Sequence, residues 1–283
     1  MPLLLDGRKI QSGRIKHLTK ITEGVSRPPT LAIIQVGARA DSTLYIEQKK
    51  KFAKKIGAKV VVFRYGAAVS EEEITKKIHE LNADPDIHGI IPQLPFTKHL
   101  DVFTITESIT REKDTDGLTA SNIKLCLENN PQGIIPATTK GIIVLLDYYS
   151  IPITGKHVVI IGRSTLVGKP TALAFINRNA TVTICHRETK NLIDVISTAD
   201  VLISAAGQPG LITKEHVRAG QIVVDVGITA REIEGKRILS GDVDFPNVSK
   251  VVTAITPVPG GVGPMTVLSL FENLFDAYKK LHH

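Results

Sequence analysis

His157-Val-Val-Ile-Ile-Gly-Arg-Ser-Thr-Leu-Val-Gly-Lys-Pro170 carries the organisation of this chain. An apolar strand runs into a glycine turn and then into a helix. That order brings free backbone N–H groups and a positive helix end to one point, where a pyrophosphate can sit. Gly162 permits the turn and Gly168 permits close approach of helix to strand. Ser164 replaces the middle glycine of GxGxxG and offers a hydroxyl to phosphate. A plain strand–helix connection would share this pattern, so the next strand has to discriminate. Thr181–Ile184 runs into Cys185-His186-Arg187 with no acid at its tip. An acid there would take the ribose 2′-hydroxyl of NAD, whereas arginine suits the 2′-phosphate of NADP. Arg187, with Arg163 on the preceding loop, favours NADP; the bland alternative is two exposed surface charges.

Working outward, strands are expected at Val201–Ser204, Ile222–Val226 and Val251–Ile255 on the C-terminal side. On the N-terminal side, β-branched runs at Thr30–Val36, Lys59–Tyr65 and Ile87–Ile91 alternate with helical stretches Ser42–Ile56 and Ser70–Asn82. Ser70 and Glu73 have the spacing of a capping box. Such alternation predicts an α/β fold of two domains with parallel sheets. The polar run Asn129-Asn-Pro-Gln-Gly133 marks the break, giving a first domain over 1–135 and a Rossmann-type domain over 136–263. The last helix, 264–283, is amphipathic through Val267, Leu270, Phe271, Leu274 and Tyr278, and is expected to pack back on the first domain. Between them, Thr256-Pro-Val-Pro-Gly-Gly-Val-Gly-Pro-Met-Thr266 combines three prolines with three glycines. This is a rigid, shaped loop, a hinge or the lining of a cleft, with Pro264 suited to open the helix.

The chain has 283 residues, 42% of them apolar, which is ample for a buried core. No apolar run reaches the roughly 20 residues of a membrane-spanning helix. The start offers only three leucines before Asp6 and Gly7, too short for a signal peptide, so a cytoplasmic home is expected. Cys126 and Cys185 lack metal-ligand spacing, and no metal is expected. The net charge of +7 comes from scattered lysines without tryptophan. Anionic small ligands explain it better than nucleic acid does.

The motifs Gly162-Arg-Ser, Val167-Gly-Lys-Pro170, Asp225-Val-Gly-Ile228, Gly241-Asp-Val-Asp-Phe245 and the proline–glycine loop resemble the methylenetetrahydrofolate dehydrogenase/cyclohydrolase family. So do Ser42-x-x-Tyr45-x-x-x-Lys49, Gln93-Leu-Pro95 and Lys113-Asp-Thr-Asp116-Gly, covering essentially the whole chain in order. The resemblance implies NADP-dependent oxidation of 5,10-methylenetetrahydrofolate to 5,10-methenyltetrahydrofolate, then hydrolysis to 10-formyltetrahydrofolate. Such one-carbon units serve purine biosynthesis. It implies a homodimer, with folate in a cleft between an N-terminal catalytic domain and the Rossmann domain.

Residue by residue, the resemblance makes Lys49 the acid/base group, Tyr45 the residue orienting the folate, and Gln93 the partner holding Lys49. On pattern alone, Tyr45 and Lys49 would be an ordinary tyrosine and lysine of a lysine-rich helix. Gln93 would be an idle strand-end residue. Asp116 is assigned to the pterin, whose adjacent N–H donors a carboxylate accepts in pairs. Asp114 is the weaker candidate, shaping the turn. Thr138 and Ile228 match positions beside the nicotinamide, and Pro259, Gly260 and Gly261 would line the folate side.

This chain departs from the family's usual pattern at Pro92, Phe96 and Thr97, and at Ala137 and Thr139. These changes bear on pocket shape and on the balance of the two activities. A short-chain carbonyl reductase also uses Tyr-x-x-x-Lys, but there the motif follows the glycine fingerprint instead of preceding it. The remaining alternatives are a dehydrogenase with lost or weak cyclohydrolase activity and a non-catalytic NADP-binding regulator.

Overall fold

The computed structural model describes residues 1–233 and 236–282; His283, at the end of the expected last helix, lies outside them. The chain divides into two compact units, one of residues 13–137 and 267–283, the other of 1–12 and 138–266. In chain order the first elements are β1 (Leu3–Leu4), α1 (Gly7–Thr22), β2 (Thr30–Val36), α2 (Ala40–Lys55) and β3 (Lys59–Tyr65). They are followed by α3 (Glu71–Ala83), β4 (Gly89–Pro92), α4 (Val102–Glu107) and α5 (Ala120–Leu127).

One unit is built on a three-stranded parallel sheet of order β3-β2-β4. Every residue of β2 is buried, as suits a central parallel strand covered on both faces. Ile34 and Ile90 are fully buried in the core with Ile74 and Ile78 of α3. Each such side chain contributes about 2–3 kcal/mol by leaving water. Ser70 caps α3 by accepting from the Glu73 N–H at 3.2 Å, half of the expected capping box.

The second half of the chain supplies α6 (Ala137–Tyr148), β5 (His157–Ile161), α7 (Gly168–Ile176), β6 (Thr181–Cys185), α8 (Leu192–Ser197), β7 (Val201–Ser204) and β8 (Ile222–Asp225). An antiparallel hairpin, β9 (Thr229–Ile233) with β10 (Lys236–Ser240), precedes α9 (Phe245–Val248), β11 (Ala254–Ile255) and α10 (Val262–His282). The six-stranded sheet has order β1-β11-β8-β7-β5-β6, all parallel. Its core joins Val159, Ile161, Leu202 and Val223 to Val248 and Ile255.

Three expectations need correction. Residues 1–12, expected in the first domain, belong to the other unit, because β1 pairs with β11 at Leu3↔Ala254 and Leu4↔Ile255. Two leucines at the N-terminus carry too little periodicity to announce a strand. The last helix begins at Val262 rather than Pro264. Pro264 stands inside the first turn, where its missing N–H would lack a helical partner anyway. The fifth strand is only Ala254–Ile255. Helix α10 does return to the three-stranded unit, where Phe271 packs on Phe52 with ring centroids 5.4 Å apart.

Candidate functional site

In the three-stranded unit, β3 lies on one side of β2 and β4 on the other. The sheet therefore reverses its direction of growth at the carboxyl end of β2, a place where such sheets hold ligands. Gln93 follows β4, its backbone N–H donating to the Ile34 carbonyl at 2.8 Å. Tyr45 and Lys49 lie one turn apart on α2, so they share a face. The Lys49 ammonium Nζ donates to Gln93 Oε1 at 2.8 Å, while Gln93 itself is buried.

Burial pushes the Lys49 ammonium down to about 8, against the upward pull of the Asp116 carboxylate. Burial likewise raises the Asp116 carboxyl; Lys49 opposes that rise and Asp114 adds to it. Each charge favours the other, yet desolvation dominates both groups. An amine that changes protonation near neutral pH can both accept and return a proton.

Three anchors hold the loop that carries Asp116. Lys113 is buried, and its Nζ donates to the carbonyls of Leu81, Asn82 and Asp84 at 2.9, 2.8 and 2.7 Å. These carbonyls close the C-terminal end of α3. Asp114 accepts the N–H groups of Gly117, Leu118 and Thr119 at 2.8–3.1 Å, and Asn122 Nδ2 at 2.9 Å. Asn273 of α10 donates to the carbonyls of Thr115 and Ile135 at 3.0 and 3.1 Å. Asp114 thus shapes the turn and spends its carboxylate on the backbone. Sequence reasoning missed Lys113, Asn122 and Asn273; only Lys113 gave a signal, through its place in the Lys113–Gly117 motif.

In the six-stranded unit the sheet reverses at β5, between β6 and β7. The glycine loop stands at its carboxyl end. Gly162 has φ +118°, and a Cβ on Gly168 would overlap the Gly162 carbonyl. Only glycine fits where the loop folds this tightly. Ser164 Oγ accepts the N–H groups of Val167 and Gly168 at 3.1 and 3.4 Å. The oxygen serves the loop itself as the acceptor in both bonds. Arg163 is exposed. Arg187 is also exposed, and its Nε donates to Glu188 Oε1 at 3.0 Å. Glu188 stands three residues beyond the end of β6 and is the acid that Arg187 meets, while the strand tip itself carries none.

Thr138 lies in the first turn of α6, and Thr266 Oγ1 donates to its hydroxyl at 3.4 Å. Ile228 follows β8 and lies within reach of Gly263. The Gly260 carbonyl accepts the N–H groups of Gly7 and Arg8 at 2.9 and 3.2 Å, so the N-terminal segment braces Pro259–Gly261. Two buried aspartates brace the strand ends. Asp225 accepts the N–H groups of Gly227, Asp242 and Val243 at 2.9–3.0 Å, and burial raises its carboxyl to about 7. Asp242 accepts from Ser204 Oγ and from Ala206 and Gly207 N–H. Both stand in motifs noted in the sequence, but their bracing role was not legible there. Among the described residues no cluster of His, Cys, Asp or Glu could hold a metal ion, and no helix is long and apolar enough to cross a membrane. Both cysteines are buried, and they form no disulfide with one another.

Residues 5–116 match a family model described as the tetrahydrofolate dehydrogenase/cyclohydrolase catalytic domain. Residues 136–282 match the NAD(P)-binding domain of the same family. A relative named bifunctional protein FolD 2, from Lactobacillus johnsonii, is 42% identical over 100% of this chain and 99% of its own. The mitochondrial C-1-tetrahydrofolate synthase of Schizosaccharomyces pombe is 46% identical over 89% of this chain, which spans 26% of that longer protein. A crystal structure of the Trypanosoma brucei methylenetetrahydrofolate dehydrogenase-cyclohydrolase, complexed with NADP and an inhibitor, is 35% identical with a TM-score of 0.94, covering 99% and 98% of the two chains.

Proposed function

The chain belongs to the tetrahydrofolate dehydrogenase/cyclohydrolase family, and from that premise we propose how its residues divide the work. It is an NADP-dependent methylenetetrahydrofolate dehydrogenase and methenyltetrahydrofolate cyclohydrolase of one-carbon metabolism. The observation that carries the division of roles is the Lys49–Gln93 hydrogen bond beside Asp116.

The glycine cradle at Gly162–Gly168 fits a dinucleotide: a backbone turn that no side chain could enter, opening on the start of α7. Arg163 and Arg187 would take the 2′-phosphate, Ser164 a pyrophosphate oxygen, and Thr138 and Ile228 the nicotinamide end. NADP supplies the hydride acceptor. The lone pair of the substrate's ring nitrogen helps expel the hydride, so the protein's task in this step is positioning. Pro259, Gly260 and Gly261 would line the folate side of that step.

In the second step Asp116 accepts the paired donors of the pterin while Tyr45 packs along the folate. Neutral Lys49 takes a proton from the water that attacks the amidinium carbon. It returns that proton to N5 as the carbon–N5 bond breaks, leaving the formyl group on N10; the second water proton goes to solvent. Gln93 holds the amine at its station. The protein is further expected to act in the cytoplasm as a homodimer: reduced, buried cysteines suit the former, and the family resemblance suggests the latter.

Purified protein given methylenetetrahydrofolate with NADP, or separately with NAD, tests the reading. Reduced cofactor is followed directly and methenyl product after acid quench. Reduction with NADP and little accumulated methenyl product is expected. Preference for NAD would overturn the arginine assignment, and accumulation of the methenyl product would remove the cyclohydrolase role from Lys49.

A further inference from the structure

Asp242 is a fully buried carboxylate that none of the proposed steps uses, and its bonds reach the carboxyl ends of several strands. Its Oδ2 accepts from Ser204 Oγ, at the end of β7, at 3.0 Å. The Ala206 and Gly207 N–H groups donate to the same oxygen at 2.7 and 3.2 Å. The Asp242 N–H donates to Asp225 Oδ1, at the end of β8, at 3.0 Å, and the Gly227 N–H donates there too. The Asp225 N–H in turn donates to Thr256 Oγ1, just after β11, at 2.7 Å. One buried chain of bonds thus joins the segments that follow β7, β8 and β11.

Each segment leads to the dinucleotide cradle or its surroundings. The Ala205 carbonyl lies so close to Gly162 that a Cβ there would overlap it. Gly227 runs into Ile228, and Thr256 lies against Gly261. The fit is tight: a Cβ on Gly227 would overlap Asp242 Oδ1, and one on Gly241 would overlap the Asp225 carboxylate. Asp242 Oδ1 is shielded from water without a hydrogen-bond partner among the described residues. A polar atom in that state costs free energy, so bonding at Oδ1 does not explain the placement. The three bonds at Oδ2 fix the carboxylate, and Oδ1 stands against Gly227 as a steric stop.

We propose that Asp242 is a positioning residue for hydride transfer: it sets where Gly227 and Ile228 stand relative to the glycine cradle, and so where the nicotinamide ring is held. The inference rests on the NADP reading of that cradle, with Ile228 at the nicotinamide end. Hydride transfer depends on placement to within an ångström or so, since small displacements of reacting atoms cost rate steeply. Lys49, Gln93 and Asp116 belong to the other compact unit and are held by other bonds, so the hydrolytic step does not depend on Asp242.

The test compares Asp242→Ala with Asp242→Asn, whose amide oxygen can accept the same three donors. Three readouts are taken: turnover in NADP reduction, hydrolysis of supplied methenyltetrahydrofolate, and calorimetric titration with adenosine 2′,5′-bisphosphate, which lacks the nicotinamide. Asp242→Ala should lower reduction about 100-fold and leave hydrolysis and bisphosphate binding near wild type, with most of the lost rate restored in Asp242→Asn. Ser204→Ala, which removes one of the three bonds, should lower reduction less and spare the other two readouts; this milder variant carries the test if Asp242→Ala does not fold. Wild-type reduction in both alanine variants, or equal losses in all three readouts, overturns the positioning role while the NADP reading stands. No binding of NADP or of the bisphosphate by the wild type overturns the NADP reading and the inference with it.

Discussion

The two sites work by opposite means. Around Lys49, function resides in side chains whose charge is altered by burial: an amine lowered to about 8 beside a carboxyl raised from its ordinary range. Around Gly162 it resides in the backbone. The glycines matter for what they lack, and the arginines are exposed and easily rearranged. One site stores its chemistry in desolvation, the other in shape. A substitution should therefore be severe at the first where it removes a titratable group, and severe at the second where it adds an atom.

Lys49→Ala should show the largest effect, lowering cyclohydrolase turnover by on the order of 10²–10⁴ while calorimetry still registers NADP binding. Near-normal hydration by this variant would erase the contrast. Next comes Gly168→Ala, whose methyl group would meet the Gly162 carbonyl. Overpacking of this kind removes about 1–3 kcal/mol of stability, and NADP titration should weaken with it. Wild-type melting and NADP affinity in that variant would mean the loop yields, and that shape is not what binds.

A smaller effect is expected at the exposed Arg187, because solvent screens its charge. Arg187→Ala should raise KM for NADP by about tenfold and leave that for NAD in place; a parallel change for both cofactors would point to the loop rather than the 2′-phosphate. The finest test is a pH profile. If neutral Lys49 accepts the proton, saturated hydrolysis rises with pH through about 8. The Asp116 carboxylate holds that value up, so Asp116→Asn should move the rising limb to lower pH. A limb displaced upward would show that another group titrates.

How far the sequence alone could be read differs between the same two regions. The strand His157–Ile161, its glycine turn and the following helix were legible at once. β-Branched residues and glycines act on their own backbone, and Gly168 must be small because Gly162 is its near neighbour. The Lys49 helix was equally legible as a helix, though not as a site without the family resemblance. Asp114 and Asp116 lie two positions apart, and their separate roles were readable only through the family resemblance and the turn habit of aspartate. Only the fold turns one toward the N–H groups of Gly117–Thr119 and leaves the other beside Lys49. Lys113 reads as one more surface lysine until the end of α3 arrives to be capped. Glu188 is the immediate chain neighbour of Arg187, and the sequence places the pair side by side without showing that the two side chains meet.

The sequence by itself therefore determined the alternation of strands and helices, the glycine cradle and the inventory of reactive groups, since each depends on residues only a few positions apart. Tertiary structure alone decided that Leu3 and Leu4 extend a sheet whose neighbouring strand lies near the other end of the chain. It also decided that Lys49, Gln93 and Asp116 converge and that Lys49 loses its proton near neutral pH. The reason is physical: desolvation and Coulomb attraction depend on which groups surround a side chain in space, and distant segments supply those groups.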